Sequence, residues 1–212
     1  MKEFDAALFD LDGTLLDSLG VWADIDRSFF AGRGLTMPED YTACIRGLSF
    51  LQTAEYTVKR FGLPETPEQI ASVWHDMCAR EYVHRVMLKP GAAEYLRRLK
   101  EQGALLAVVT TLTPALYEPA LKRNGVYALF DVFVTTDESG KNKESGEIYR
   151  LAARKLNVEP ARCMVYEDIP EGLIGAKKAG MRAALVYDVH NASSLDEARA
   201  LCDKYIKSYM EI

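Results

Sequence analysis

Residues 6–17 read AALFDLDGTLLD in one-letter code, a short apolar run followed by two aspartates and a glycine. The run Ala6–Phe9 is typical of a buried strand in a parallel sheet. Asp10 and Asp12 come next, and since residues i and i+2 of an extended chain point the same way, both carboxylates start on one side. Ligands of open α/β sheets bind beyond the carboxyl ends of the strands, so the pair lies where a site is expected.

An Asp-x-Asp-Gly sequence has two other interpretations. It is often a polar turn with no chemistry. It also resembles the start of a calcium loop, but Thr14 stands where a third acidic ligand is needed and Val21 where the loop requires glutamate. The apolar run before the motif and the partner residues described below favour a catalytic or metal-binding role for the two aspartates. Two acids suit a hard cation such as Mg²⁺, or a nucleophile beside an acid–base group.

Length and charge limit what the chain can be. Its 212 residues suffice for one full α/β domain and a small insertion. A net charge of −5 supplies no global positive field for nucleic acid or an anionic membrane. No apolar run approaches the ~20 residues that span a bilayer, and the four cysteines are widely spaced. Because the first strand begins within a few residues, we expect no signal peptide. We therefore expect a cytoplasmic protein, a monomer by default, that binds neither nucleic acid nor membrane.

After the first aspartates the pattern turns helical for a long way. Apolar residues recur at helical spacing from Val21 to Phe30, and capping boxes that start at Ser49 and Thr66 predict further helices. The span contains no confident strand and is far longer than a single crossover helix needs. We expect residues 17–87 to form an inserted α-helical cap domain, and residues 1–16 and 88–212 to form the core.

The remainder of the chain alternates apolar runs with amphipathic segments. Thr113-Pro114 is typical of a helix start, but Glu118-Pro119 argues against a helix that runs straight through, so we expect it to be broken or to start late. A last capping box at Ser194 predicts a C-terminal helix. Alternating strands and helices indicate a three-layer, Rossmann-like α/β fold with a parallel sheet. Its further strands are predicted at Leu105–Val109, Asp131–Thr135, Cys163–Tyr166 and Ala183–Tyr187.

Phe9–Ser18 resembles the first motif of the haloacid dehalogenase superfamily, in the branch of phosphoglycolate phosphatases and β-phosphoglucomutases. The resemblance extends over nearly the whole chain, because later positions are similar to the other motifs of the superfamily. It implies Asp10 as the nucleophile that accepts the phosphoryl group, Asp12 as the general acid/base, and an essential Mg²⁺.

The second and third motifs concern the phosphate. Thr110 follows the second strand, at the place where the superfamily binds phosphate through a hydroxyl, and Thr111 comes next. Taken alone, a threonine there is more often a local cap. A phosphate beside ionised aspartates needs a cation besides the metal. The third motif, Lys-x-x-x-Glu-Ile-Tyr, assigns that role to Lys143. Relatives usually carry prolines after this lysine, whereas residues 144–146 read Glu-Ser-Gly, so Lys141 stays an alternative.

Glu167 and Asp168 follow the fourth strand and precede a Gly/Ala-rich segment, which together resemble the fourth motif. Buried acids at such a point need a partner, because an unpaired buried charge is expensive. The resemblance implies Asp168 as a direct Mg²⁺ ligand, with Glu167 supporting it or its waters. The other ligands would be Asp10, the backbone carbonyl of Asp12, a phosphate oxygen and waters.

These features predict a Mg²⁺-dependent phosphatase that hydrolyses a small phosphorylated metabolite through an aspartyl-phosphate. The alternatives are a phosphomutase of the β-phosphoglucomutase type and, with less support because the acids are intact, a non-catalytic phosphate-binding module. The mutases it resembles hold a second phosphate with a cap arginine after Gly-x-Ser. Phe50 stands at that position here and Arg46 is the nearest substitute, which makes these two the candidate substrate-binding residues of the cap. The sequence does not name the substrate.

Overall fold

A parallel sheet is the frame that places the predicted site residues. The computed structural model describes residues 3–45 and 48–212. Within these ranges the sheet has six strands in the order β3-β2-β1-β4-β5-β6, and each neighbouring pair is parallel. The strands are β1 (Ala6–Phe9), β2 (Leu105–Thr110), β3 (Val132–Thr135), β4 (Cys163–Glu167), β5 (Arg182–Val186) and β6 (Lys204–Ile206).

Helices occupy most of the remaining described chain, and none of those described is long and apolar enough to cross a membrane. Those between β1 and β2 are α1 (Leu19–Ala31), α2 (Tyr41–Ile45), α3 (Phe50–Phe61), α4 (Pro67–His84) and α5 (Ala92–Glu101). Those after β2 are α6 (Pro114–Arg123), α7 (Thr136–Ser139), α8 (Glu147–Leu156), α9 (Pro170–Lys178) and α10 (Leu195–Leu201).

Strand β1 lies inside the sheet because it is apolar on both faces. All four of its residues are fully buried. Side chains alternate along a strand, so Phe9 packs into the apolar cluster that includes α5 and α6, while Leu8 packs into the one that includes α8 and α9. Helices thus cover both faces, and the predicted three-layer, Rossmann-like α/β fold is confirmed.

The strands expected from the sequence are present, and their ends differ from the predicted ones by at most one residue. Strand β6 was not predicted. It has only three residues and pairs with β5 alone, at the edge of the sheet. A strand this short leaves too weak an alternation of apolar and polar residues to be recognised in a sequence.

The expected break near Glu118-Pro119 is wrong. Helix α6 runs without interruption from Pro114 to Arg123 and contains Pro119. A proline inside a helix loses one backbone hydrogen bond and costs about 3 kcal/mol. Leu116 and Leu121 on the same helix are fully buried, and burial of a leucine contributes about 1.5–3 kcal/mol. Packing therefore offsets the local penalty.

Two of the three predicted capping boxes form. Ser49 and Thr66 each accept a bond from the backbone N–H three residues later, and the side-chain oxygen of the glutamine at that position accepts one from the backbone N–H of Ser49 or Thr66. The third does not form: Ser194 precedes α10 but makes no side-chain cap, and its backbone (φ −107°, ψ 9°) is not in the extended conformation of a capping residue. Its hydroxyl donates to the carbonyl of Asn191 at 3.1 Å.

Helices α1–α4, referred to below as the inserted helices, leave and rejoin the sheet side by side. The backbone N–H of Asp17 donates to the carbonyl of Met87 at 2.9 Å, and that of Lys89 donates to the carbonyl of Leu15 at 2.8 Å. The described residues between 17 and 87 contain no strand. These contacts support boundaries near residues 17 and 87, and the division into a core and a cap stays a prediction.

Asp26 is a buried carboxyl among the inserted helices. It lies on α1 and is 9% exposed. Burial raises its pKa from an ordinary 3.8 to about 6, because a charge is poorly solvated there, and the nearby Arg27 offsets only part of this effect. Asp26 is therefore harder to ionise in the folded protein than an exposed aspartate is.

Candidate active site

The carboxyl ends of β1, β2 and β4 bring the predicted residues to one edge of the sheet. Phe9 is in register with Val108 of β2 and Tyr166 of β4, so the residues that follow these three are neighbours. Asp10 comes directly after β1, and its backbone N–H donates to the carbonyl of Tyr166 at 3.0 Å. Glu167 ends β4, so that acids from two adjacent strands meet at this edge.

Three carboxylates form the acidic cluster of this site. Asp10, Glu167 and Asp168 each offer an oxygen, and these oxygens lie within 4.8 Å of one another. Their exposed fractions are 5%, 0% and 4%. Burial, and secondly the charge of Asp10, raise the pKa of Asp168 well above its ordinary value, and burial raises that of Glu167 to about 7. The cluster therefore favours a cation between its oxygens.

Lys143 supplies one positive charge to this cluster. Its Nζ donates to Asp10 Oδ1, and to Glu167 Oε1 at 2.8 Å, and only 4% of the residue is exposed. Burial alone would lower the pKa of Lys143, but the charges of Asp10 and Glu167 outweigh it and raise that pKa. Lys141, the alternative, is exposed and lines a polar cleft instead.

A tight turn positions Lys143, although residues 144–146 lack the prolines that the resemblance led us to expect there. Residues Lys143–Ser145 form one turn of 3₁₀-helix that Asn142 caps through its side chain, and Gly146 ends it with a φ of 82°. Helix α9 packs directly on this turn. A Cβ on Gly175 would lie 1.9 Å from the carbonyl oxygen of Lys143, so only glycine allows the approach. Packing against α9 thus takes the place of proline in fixing the lysine.

Glu167 is fixed from two sides. Its Oε1 accepts from Lys143 and from the hydroxyl of Tyr149 at 2.7 Å. Its Oε2 is buried and has no hydrogen-bond partner among the described residues. A Cβ on Gly172 would lie 2.4 Å from that oxygen, so this glycine makes room for the carboxylate. An unpaired buried carboxylate oxygen beside two other acids is suited to a metal or to one of its waters.

Asp168 is held by residues far away in the sequence. Thr14 donates to its Oδ1 at 3.0 Å, and the side-chain amide of Asn191 donates to its Oδ2 at 2.6 Å. A Cβ on Gly13 would lie 2.1 Å from Oδ2, so that glycine is also required. The role of Asn191 was not predicted, because the residue is 23 positions away in a turn that carries no motif.

Asp12 follows β1 but faces other partners. Ser18 donates to its Oδ1 at 2.6 Å, and the hydroxyl of Tyr82, on the last turn of α4, donates to the same oxygen. Burial raises the pKa of this carboxyl to about 6, against the effect of these two bonds. Its side chain is not part of the acidic cluster.

The predicted phosphate contacts occupy the neighbouring strand end. Thr110 is the last residue of β2 and is fully buried. Its Oγ1 accepts from the backbone N–H of Leu112 at 3.1 Å, which leaves the hydroxyl proton for another acceptor. Thr111 follows and is half-buried.

Phe50 and Arg46 are the two candidate substrate-binding residues of the cap. Phe50 begins α3 and packs edge-to-face on Trp22, with ring centroids 5.3 Å apart. Arg46 lies outside the described residues. A polar cleft of about 480 Å³ lies beside the start of α3, and its lining consists of Ser49, Gln52, Thr136, Asp137, Gly140, Lys141 and Asn142.

Known proteins are similar to this chain in both sequence and fold. A family model for haloacid dehalogenase-like hydrolases matches residues 4–180. The validoxylamine A 7'-phosphate phosphatase of Streptomyces hygroscopicus subsp. limoneus is 31% identical over 214 residues, which cover 93% of this chain and 92% of that protein. The phosphorylated carbohydrates phosphatase of Thermotoga maritima is 27% identical over 199 residues, with coverage of 93% and 92%.

A solved structure agrees with these relatives. The crystal structure of CbbY from Rhodobacter sphaeroides in complex with xylulose-(1,5)bisphosphate superposes with a TM-score of 0.84 at 26% identity. The match covers 98% of this chain and 96% of the other.

Proposed function

This chain belongs to the haloacid dehalogenase-like hydrolase family and is a phosphoric monoester hydrolase, and we propose that it hydrolyses a small phosphorylated carbohydrate through an aspartyl-phosphate on Asp10. The observation that carries the proposal is the acidic cluster with Lys143 bonded to two of its members. Such a cluster suits phosphoryl transfer, which calls for an in-line nucleophile and neutralised charge.

The reaction divides into two steps. In the first, an oxygen of Asp10 attacks phosphorus, the bond to the alcohol breaks, and Asp12 gives its proton to the departing alkoxide. In the second, Asp12 takes a proton from water, which attacks the same phosphorus and frees inorganic phosphate and Asp10. The raised pKa of Asp12, about 6, supports a group that exchanges a proton near neutral pH.

Thr110, Thr111 and Lys143 are proposed to bind the phosphate oxygens. The free hydroxyl proton of Thr110 and the charged Nζ of Lys143 are donors at the same sheet edge as Asp10. Charge-assisted donors held in place before the reaction stabilise charge that develops on the transferring group.

The residues present fit a divalent cation. The donors are all oxygen, with no histidine or cysteine among the three clustered ligands, which favours Mg²⁺ over zinc. We propose that Asp10, Asp168 and the backbone carbonyl of Asp12 hold it, with Glu167 supporting the ion or its waters. When bound, Mg²⁺ would supply positive charge to the phosphoryl oxygens. The unpaired Oε2 of Glu167 supports this assignment.

Two of the comparisons support a carbohydrate as the substrate. The relative from Thermotoga maritima is named a phosphorylated carbohydrates phosphatase, and the CbbY structure is a complex with xylulose-(1,5)bisphosphate.

The packing of Phe50 favours hydrolysis over mutase chemistry. A mutase holds a bisphosphate intermediate while that intermediate reorients in the site. It therefore needs a second cationic site away from Asp10. Phe50 is apolar and packs its ring against Trp22 instead. A desolvated phosphate against an apolar ring would be strongly disfavoured.

A phosphate-release screen tests the proposal. The purified protein with Mg²⁺ is given hexose, pentose and polyol phosphates, and β-glucose 1-phosphate with a trace of the bisphosphate. We expect free phosphate from at least one carbohydrate phosphate. Rapid glucose 6-phosphate formation without comparable free phosphate would overturn the hydrolase in favour of the mutase, and no turnover of any phosphate ester would overturn the reaction itself.

A further inference from the structure

The carboxyl of Asp12 is held by one group on the inserted helices and by one just before them. Tyr82 of α4 is fully buried and donates to Oδ1, as does Ser18 just before α1. A buried tyrosine hydroxyl ordinarily finds a partner, so this contact alone says only that the hydroxyl is satisfied. A second hydrogen bond to the same hydroxyl, donated by Trp22, indicates where the proton of Tyr82 lies.

Trp22 fixes the direction of the bond between Tyr82 and Asp12. Its Nε1 donates to the hydroxyl oxygen of Tyr82 at 2.7 Å. An indole N–H can only donate, so the oxygen of Tyr82 accepts there, and its single proton is left for Asp12. Among the described residues, Asp12 is the acceptor that the hydroxyl proton of Tyr82 reaches, so Tyr82 donates to the carboxyl rather than accepting from it.

The consequence falls on one oxygen of Asp12. Oδ1 receives the donated protons of Ser18 and Tyr82, while no hydrogen bond from the described side chains reaches Oδ2. A carboxyl that must accept at Oδ1 carries its own proton at Oδ2. A proton is transferred efficiently only when its carrier lies within hydrogen-bond reach of the reacting atom, so the choice of oxygen affects the rate.

We infer that Tyr82 is a positioning residue that confines the exchangeable proton of Asp12 to Oδ2, with Trp22 orienting Tyr82. The inference rests on the proposed phosphatase reaction, in which Asp12 protonates the departing alkoxide. Tyr82 touches neither the substrate nor the acidic cluster in this assignment. It acts only through Asp12.

Substrates with different leaving groups distinguish a positioning role of Tyr82 from a purely structural one. An alkoxide needs a proton as it departs, whereas p-nitrophenolate leaves as a stabilised anion. Misplacing the proton of Asp12 therefore slows alkyl esters and spares the aryl ester. Damage to the fold or to the acidic cluster slows both. The constant kcat/KM isolates this step, since it reports the reaction up to the first irreversible release.

The experiment compares Tyr82→Phe with Tyr41→Phe on the best carbohydrate phosphate and on p-nitrophenyl phosphate, with Mg²⁺ present. Tyr41 is an equally buried tyrosine of the inserted helices whose hydroxyl bonds to Thr57 at 2.7 Å. For Tyr82→Phe we expect kcat/KM to fall at least about tenfold with the carbohydrate phosphate, and to stay within about twofold with the aryl ester. Tyr41→Phe should change neither.

A second pair of variants covers the case that Tyr82→Phe fails to fold. Trp22→Phe keeps an aromatic ring but removes the N–H, and should shift the alkyl-to-aryl ratio in the same direction. Trp74→Phe is its control, because that buried indole N–H has no hydrogen-bond partner in the described chain.

Two outcomes would overturn the inference. They are equal losses on both substrates, which indicate structural damage, and no loss on either. A wild-type protein that releases phosphate from neither ester would instead overturn the proposed function on which the inference depends, and the wild-type assay distinguishes that case.

Discussion

Replacing Lys143 by alanine would remove the side-chain cation that contacts Asp10 and Glu167. Among the described residues, no other lysine or arginine forms an ion pair with either acid. The contact is buried and already in place, like an oxyanion-hole donor, whose removal lowers turnover by 10²–10³-fold. We therefore expect kcat to fall at least about a hundredfold, of order 3 kcal/mol of barrier.

The assay is phosphate release at saturating substrate and Mg²⁺, with Lys141→Ala as the matched control. Lys141 lies two residues away and is exposed, so its removal should change kcat by less than about twofold. Removing one partner of a buried ion pair also costs stability, by about 3–5 kcal/mol. Lys143→Gln keeps a donor and most of the length, so it separates loss of charge from loss of fold, and thermal unfolding of each variant checks this.

The opposite pattern would refute the reasoning. If Lys141→Ala were the damaging change and Lys143→Ala and Lys143→Gln kept kcat within about tenfold of wild type, the charge that balances the phosphate would not come from Lys143. The turn at residues 143–145 would then have been assigned the wrong function.

Three further outcomes are expected. Asp26→Asn should raise the free energy of unfolding above pH 7 by about 1–3 kcal/mol in denaturant titrations, because the raised pKa makes the contribution of Asp26 fully favourable below pH ~4 and lost as pH rises through about 6. The gain should vanish at pH ~4, and Asp24→Asn on the exposed side of the same helix should show none. Gly172→Ala should abolish most turnover, since its Cβ would overlap the Glu167 carboxylate, while Gly20→Ala, whose Cβ meets nothing closer than 3.5 Å, should keep it; equal activity would contradict the packing. Chelation should stop phosphate release and added Mg²⁺ should restore it better than Ca²⁺, whereas full activity after exhaustive chelation would exclude the metal.

The sequence was most informative where local pattern and chemistry coincide. An apolar run that ends in an acid marks both a buried strand and the edge where ligands bind, and this located Asp10, Glu167 and Asp168. The parallel sheet then brings the three together, as the order of its strands requires. The choice between Lys141 and Lys143 could not be made from loop composition, because it depends on how α9 packs against the turn.

The supporting contacts were beyond sequence reasoning for a physical reason. Tyr82 and Asn191 reach Asp12 and Asp168 from 70 and 23 residues away. Their positions follow from how the inserted helices and the last turns pack, and no short motif encodes that. Helix α6 was misjudged for a related reason, since its buried leucines outweigh the local effect of Pro119.

Identifying the phosphorylated residue during turnover tests the central claim most directly. The protein is mixed with Mg²⁺ and substrate, quenched in acid within milliseconds, digested, and analysed by mass spectrometry. We predict one phosphoryl group on the peptide that contains Asp10, formed and lost at rates compatible with kcat, and absent in Asp10→Asn. Phosphate released without any such species, a phosphoryl group on another residue, or an Asp10→Asn variant that keeps turnover within about tenfold of wild type would contradict the account.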